Sequence, residues 1–205
     1  MDINNPIPAE WNAYVTQTNL GLEVVPAHLY SVKPYTSAIT RELIFFDTSR
    51  GSRPDLTNMV TAGALPNPES FLIQNMRIYF WSSPQNQAVP GGTLPEVYKS
   101  SFNDVVQLST LGILELKIGN KGYGPWPLWT LPAHNFVKGP MESTVNSSYG
   151  QIDGMLYAME PYLMISPLQQ FSARISWPSG PVTTAMGGDI PIEVLFDGKL
   201  ARGIQ

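Results

Sequence analysis

The chain has no cysteine, two histidines and few charged residues. The absence of cysteine from all 205 residues excludes disulfides, thiolate metal sites and cysteine nucleophiles. His28 and His134 are far apart and have no acidic neighbour, so they do not form a zinc motif. Charged side chains make up 14% of the sequence and the formal net charge is -4, opposite in sign to what phosphate binding needs. We expect no metal site and no direct nucleic-acid binding.

Long apolar runs and basic blocks are also missing. No stretch of about 18 apolar residues occurs, which predicts no membrane-spanning helix. The first residues, MDINNPIPAEWNAYVTQTN, lack a basic start and an apolar run, so we expect no secretory signal. Neither end carries the basic block with which small coat proteins neutralise RNA. We therefore expect neither end to bind nucleic acid.

Motifs for catalysis are missing as well. No serine lies in a G-x-S-x-G motif, and no P-loop or G-x-G-x-x-G is present. Two carboxylate pairs are candidates for acid-base chemistry, Glu42 with Asp47 and Glu193 with Asp197. Glu42 and Glu193 occupy polar positions of alternating strands, which predicts that they face solvent. We therefore expect no enzyme, no cofactor and no small-molecule substrate.

Glycine and proline are abundant, with 17 and 19 copies, and this favours many short strands over long helices. Alternating or β-branched residues predict a series of strands, and Asp197-Gly198 predicts a hairpin turn before a return strand. Ser101 and Asp104 predict the start of a short helix through Leu108. The predicted strands are 39–47, 72–80, 113–118, 155–159, 162–165, 171–177, 190–196 and 199–205, and the predicted long loops are 48–70, 81–100 and 119–151.

These elements predict an all-β fold: a single jelly roll, or antiparallel β-sandwich, of about eight strands with long loops. No internal repeat and no alternation of strands with helices is found, which argues against a parallel sheet. Residues 1–38 are predicted to be an extended N-terminal arm with an entry strand, and residues 39–205 the jelly-roll domain. Ordering such an arm costs about 1–2 kcal/mol per residue, so we expect it to lie on a neighbouring subunit.

Two groups of aromatic residues are candidate interaction sites. Trp11 and Tyr14 lie in the polar arm, where little local core is available, and are predicted to anchor it. Tyr123, Trp126 and Trp129 lie in a predicted loop, where the two tryptophans are interleaved with Pro125 and Pro127. They form either a platform on which sugar rings stack, or a plug or subunit contact at one end of the sandwich.

Four blocks of sequence carry a resemblance to a known family. The series LIFFDTSRG, TNMVTAGALPNPESFLIQNMRIYF, SPLQQFSARISWPSG and IPIEVLFDGKLARGIQ resembles coat proteins of tailless bacteriophages of the jelly-roll lineage. The resemblance implies a capsid subunit in an icosahedral shell, often above an internal membrane. Major coat proteins of that lineage often carry two jelly rolls, whereas this chain is long enough for one. The resemblance transfers no catalytic residue.

We therefore expect a structural protein that associates with copies of itself, as a trimer, pentamer or hexamer, and with other virion proteins. Its expected location is the virion, after synthesis in the host cytoplasm. The alternative is a β-sandwich binding module, either a virion decoration or a carbohydrate-recognition domain, that uses Trp126 and Trp129. The two hypotheses differ in their expected mass in solution, because the binding module should stay monomeric.

Overall fold

A computed structural model describes residues 7–17, 21–80, 104–131, 139–140, 149–150, 157–184 and 189–204. These described residues form two α-helices, ten strands and one 3-10 helix, Leu128–Thr130. The helices are α1 (Ala9–Gln17) and α2 (104–111). The strands are β1 (Leu22–Tyr35), β2 (Glu42–Phe45), β3 (Ser70–Phe80), β4 (Ile113–Ile118), β5 (Lys121–Pro127), β6 (Gly139–Pro140), β7 (Tyr149–Gly150), β8 (Tyr157–Ile165), β9 (Phe171–Ser176) and β10 (Ile190–Gly203).

Eight strands form two antiparallel four-stranded sheets. The first sheet has the order β1-β10-β3-β8 and the second has the order β2-β9-β4-β5, while β6 pairs with β7 separately. Within the eight, the first strand pairs with the last, the second with the seventh, the third with the sixth and the fourth with the fifth. This nested pairing is that of a ribbon rolled into two Greek keys. The predicted jelly-roll sandwich is therefore confirmed.

The core lies between the two sheets, as the alternating sequence predicts. The inward-facing residues of β9 are Phe171, Ala173 and Ile175. Those of β10 are Ile190, Ile192, Val194 and Phe196. Phe46, which directly follows β2, joins the two inner faces. Its ring centre lies 4.8 Å from that of Phe196 in the first sheet and 5.3 Å from that of Phe171 in the second.

The predicted hairpin at Asp197-Gly198 is wrong. Strand β10 continues through this dipeptide to Gly203 and pairs with β1 along its whole length. On its other side the register with β3 shifts between Asp197 and Gly198, which is a β-bulge. A β-carbon at Gly198 would lie 1.8 Å from the Leu72 carbonyl oxygen. The glycine therefore serves the close approach of two strands and not a chain reversal.

Several predicted boundaries also differ. The strand predicted over 39–47 is limited to Glu42–Phe45, because Phe46 takes a positive φ of 66° that ends the extended conformation. The two short strands predicted over 155–159 and 162–165 are one strand, β8, through residue 165. Part of the loop predicted over 119–151 is β5, which forms the edge of the second sheet. Proline is tolerated at such an edge because one side needs no hydrogen bonds.

The N-terminal region contains more regular structure than an extended arm. Residues 9–17 are helical, so the expectation of an extended segment is wrong there. The entry strand is β1, a full member of the first sheet, while the domain division at residue 38 stays a prediction. The helix predicted near Asp104 is present as α2, whereas Ser101 and the loop 81–100 lie outside the described residues. Among the described residues, no helix is long and apolar enough to cross a membrane.

Candidate interaction site

The predicted aromatic platform is divided between two environments. Tyr123 and Trp126 lie on β5 opposite Leu116 and Leu114 of β4, whose side chains are buried in the core. Opposed residues of an antiparallel pair share a face, so both rings lie on the inner face of the second sheet. They are half-buried and pack against the main core. These two rings close the sandwich along its β5 edge.

Trp129, in contrast, lies on the surface with 61% of its side chain exposed. It belongs to the short 3-10 helix after β5, whose first residue, Leu128, is buried. The Leu128 amide donates a hydrogen bond of 2.9 Å to the carbonyl oxygen of Gly112, directly after α2. A β-carbon at Gly112 would lie 2.4 Å from the Leu128 side chain, so the glycine permits this contact. Trp129 is thereby fixed beside the end of α2.

Exposed apolar residues lie near this junction. Val106 and Leu111 on α2 are 37% and 46% exposed, and we use the name helix-end patch for these two residues together with Trp129. Sequence reasoning identified Trp129 but missed the two aliphatic residues. The sequence carried a signal for Val106, because Val105 and Val106 are adjacent and a helix face buries only one of them. It carried none for Leu111, which lies three residues after the buried Leu108 and so on the same face by helical spacing. An apolar patch of this kind is typical of an interaction surface.

Trp11 and Tyr14 pack on their own chain. Trp11 is only 4% exposed and forms a second apolar cluster with Leu72 of β3 and Ala201 of β10, on the outer face of the first sheet. The Tyr14 hydroxyl donates a hydrogen bond of 2.5 Å to the Pro68 carbonyl oxygen, and burial raises its pKa. Both residues pack on this chain's own first sheet, so the expectation that the arm lies on a neighbouring subunit is wrong for this part of it.

Replacing Trp11 with alanine is expected to release α1 while the sandwich stays folded. A nine-residue helix is not stable alone in water, so it depends on the contact that Trp11 makes. We expect the amides of residues 9–17 to lose hydrogen-exchange protection and unfolding to require about 1–3 kcal/mol less free energy. Asn12→Ala, at an exposed position of the same helix, is the control and should change neither quantity measurably. Retained protection in Trp11→Ala would contradict the anchoring role.

The candidate carboxylates and histidines lie in different environments. The carboxylates pair with separate cations: Glu42 with Arg174, Asp47 with Lys33 and Asp197 with Arg77, at N–O distances of 3.5, 2.6 and 2.5 Å. Glu193 is 9% exposed, so the expectation that it faces solvent is wrong. His28 lies exposed on β1, and His134 lies outside the described part. Within the described ranges, no group of three or more His, Asp or Glu could hold a metal ion.

A cleft of about 340 Å³ lies at the β1 edge of the sandwich. Its apolar walls come from β1, from β10 and from the segment between β2 and β3, including Ala27, Leu65 and Leu200. Polar groups at the cleft include Asn58, Glu69 and Arg202. Burial raises the pKa of the Glu69 carboxyl, and the positive charge of Arg202 partly opposes that rise. Sequence reasoning missed this cleft because the residues that line it are far apart along the chain.

Comparison of the sequence with models of known protein families and with curated proteins finds no match.

Proposed function

We propose that this chain is a structural protein, a single-jelly-roll capsid subunit that associates with copies of itself and with other virion proteins. Its proposed location is the virion of a tailless bacteriophage. The observation that carries the proposal is the helix-end patch on a jelly-roll sandwich, in a chain whose charged fraction is 14%. The jelly roll is used by viral capsids, lectins and cupins, so the fold alone does not decide among them.

The position of the helix-end patch supports side-by-side association. In a jelly roll, successive connections alternate between the two ends of the sandwich, so the β3–β4 connection and the segment after β5 lie at the same end. These connections carry α2 and Trp129. The β8–β9 turn with Leu168 lies at the opposite end, where the Leu168 amide bonds the Leu65 carbonyl oxygen. One end thus concentrates aromatic and aliphatic surface of the composition that subunit interfaces favour.

A sugar-binding module is the second candidate, because one tryptophan ring is open to solvent. A pyranose ring stacks on an exposed aromatic face, and Trp129 offers one. Tyr123 and Trp126 face the core, so in this alternative Trp129 supplies the stacking surface. The two candidates predict different results for the same substitution, loss of assembly or loss of glycan binding.

The assembly proposal predicts a mass in solution that depends on Trp129. Light scattering over a range of protein concentrations should give trimers, pentamers, hexamers or shells. Trp129→Ser should shift the protein to smaller species at equal concentration, with at least a tenfold weaker association, because a central aromatic residue of an interface contributes about 2 kcal/mol or more. Leu168→Ser is the matched control, since Leu168 is 67% exposed at the other end. It should leave the mass unchanged.

Two outcomes would overturn parts of this proposal. A wild-type protein that stays monomeric at every concentration would contradict self-association and favour the binding module. Binding of wild type and Trp129→Ala to a glycan array then tests that module. If Trp129→Ser leaves the assembly intact, the proposal of a capsid subunit stands. Its interface would then lie outside the helix-end patch.

A further inference from the structure

The outer edge of β1 is covered along one half and open along the other. Among the described strands, β1 has β10 on one side and no full strand on the other. Near its C-terminal half, the Val32 amide bonds the Leu56 carbonyl oxygen at 2.7 Å. The Asn58 side chain accepts a hydrogen bond from the Tyr30 amide at 3.0 Å and donates one to the His28 carbonyl oxygen at 2.7 Å. Residues 56–58 thus replace a neighbouring strand along this half.

These bonds identify which residues of β1 point outward. His28, Tyr30 and Val32 are alternate positions, and their backbone groups face away from β10. The β1–β10 register is continuous from residue 22 to 35, so the same alternation extends to Val24 and Pro26. In the described part of the chain, no hydrogen bond is found for the Val24 amide, the Val24 and Pro26 carbonyls or the His28 amide. Val24, Pro26 and His28 are also exposed.

The cleft lies directly beside this open half. Val25, Ala27 and Leu29, on the inner face of β1, form one of its walls. A strand added to the open edge would direct every second side chain onto this inner face, level with the cleft. Glu69, at the cleft, has a half-buried carboxylate with no hydrogen bond or salt bridge among the described residues. Arg202 also lines the cleft, but its guanidinium pairs with Glu23 at 2.7 Å, so the Glu69 carboxylate and the apolar wall suit a side chain that has an apolar stem and a positive end.

We propose that the open half of the β1 edge, residues 22–28, binds an extended segment of a partner polypeptide as an added strand. One lysine or arginine side chain of that segment lies in the cleft, with its charge near Glu69. Backbone hydrogen bonds at Val24 and His28 give the affinity, and the cleft gives the specificity. Pro26 has no amide to donate, so it limits the pairing that an open edge otherwise invites. This inference goes beyond the proposed function and involves a different surface.

Amide hydrogen exchange of the free protein is the first test. The amides of Val24 and His28 should exchange rapidly, whereas those of Val25 and Ala27, which face β10, should be protected. Protection of Val24 and His28 in dilute free protein would overturn the inference, because the edge would already be covered. Protection that increases with protein concentration alone would identify a second copy as the donor of the strand and overturn the assignment to a different polypeptide.

The second test is a titration with a defined peptide, followed by amide chemical shifts. The probe is an acetylated, amidated heptapeptide that alternates threonine and valine around a central lysine. Comparison peptides carry norleucine or glutamate at the centre. We expect shifts and new protection at Val24 and His28, and roughly three- to tenfold weaker binding for norleucine than for lysine, with glutamate weaker still. Shifts confined to other strands, or none at millimolar peptide, would overturn the proposal.

Two substitutions separate the parts of the site. Glu69→Gln should remove the preference for lysine over norleucine, while Glu42→Gln, on the second sheet, should retain it. Val24→Pro removes an amide at a sheet edge, where proline is tolerated, and should weaken all three peptides about tenfold or more. Should Val24→Pro fail to fold, the Glu69→Gln comparison still decides the role of the cleft. Weaker peptide binding by Val24→Pro with an unchanged mass in solution would also separate this site from the helix-end patch.

Discussion

Gly198→Ala is expected to lower the free energy of unfolding by about 3 kcal/mol, at the upper end of what overpacking costs. The added β-carbon would lie 1.8 Å from the carbonyl oxygen of Leu72 and 2.9 Å from its carbonyl carbon. Both atoms belong to the backbone of β3, which is fixed by hydrogen bonds to β10 and β8. No side-chain rotation can relieve this clash, so the strands must separate at the bulge.

Gly122→Ala is the matched control for this prediction. Gly122 lies on the edge strand β5, and a β-carbon there would have no atom within 4 Å. We expect a change within about 0.5 kcal/mol, since an exposed position with room for a methyl group tolerates alanine. Urea denaturation of wild type and both variants measures the three free energies. If both alanine variants lose the same free energy of unfolding, the cost at Gly198 comes from the lost backbone flexibility of glycine. It does not then come from the close approach to the Leu72 backbone.

The same glycine shows where sequence reasoning reaches its limit. Asp-Gly is a strong local signal for a hairpin, and locally the prediction was reasonable. The bulge at Gly198 is determined by β1 and β3, which are distant in the chain and pair with β10 from both sides. Alternation within a segment predicted β4, β9 and most of β10 well, because the inner face of each is set by its own residues. The partners of a strand are not encoded locally.

Amino-acid propensity alone predicts the secondary structure less accurately than the alternation of apolar and polar residues does. Strand β5 is rich in glycine and proline, residues that are depleted in strands, and it was predicted to be a loop. At the edge of a sheet only one side must pair, so Pro125 and Pro127 are tolerated. Helix α1 was missed because Trp11 is the only buried residue among residues 9–16, the part of the helix for which burial is described, and this leaves little helical periodicity to detect.

The candidate site was predictable in part. Aromatic residues between prolines directed attention to Trp129, whose exposure agrees with a surface role. The different environments of Trp126 and Trp129, only three residues apart, depend on the end of β5 and on the contact of Leu128 with Gly112. The cleft and the open edge depend on how residues 56–58 return to β1. Contacts of this kind need the assembled fold, because each joins segments that the sequence treats separately.

Phe196→Ala is the substitution for which we expect the largest loss of stability, about 3–5 kcal/mol. Phe196 is completely buried in the central strand of the first sheet, and its ring stacks on Phe46. Phe46 in turn contacts Phe171 of the second sheet. Truncation to alanine therefore removes the contacts of a buried aromatic ring. It also opens a cavity where aromatic side chains of the two sheets meet.

Phe196→Leu separates the size of that cavity from the loss of the aromatic ring. Leucine fills most of the space, so a loss of about 1–2 kcal/mol is expected if cavity volume determines the cost. Ile44→Ala, on the outer face of the second sheet at 43% exposure, should cost under about 1 kcal/mol and controls for the removal of an aliphatic group in general. Urea unfolding at fixed protein concentration gives all three values. A loss in Phe196→Ala no larger than that in Ile44→Ala would contradict the central position of Phe196, and with it the face-to-face packing of the two sheets on which both interaction sites are built.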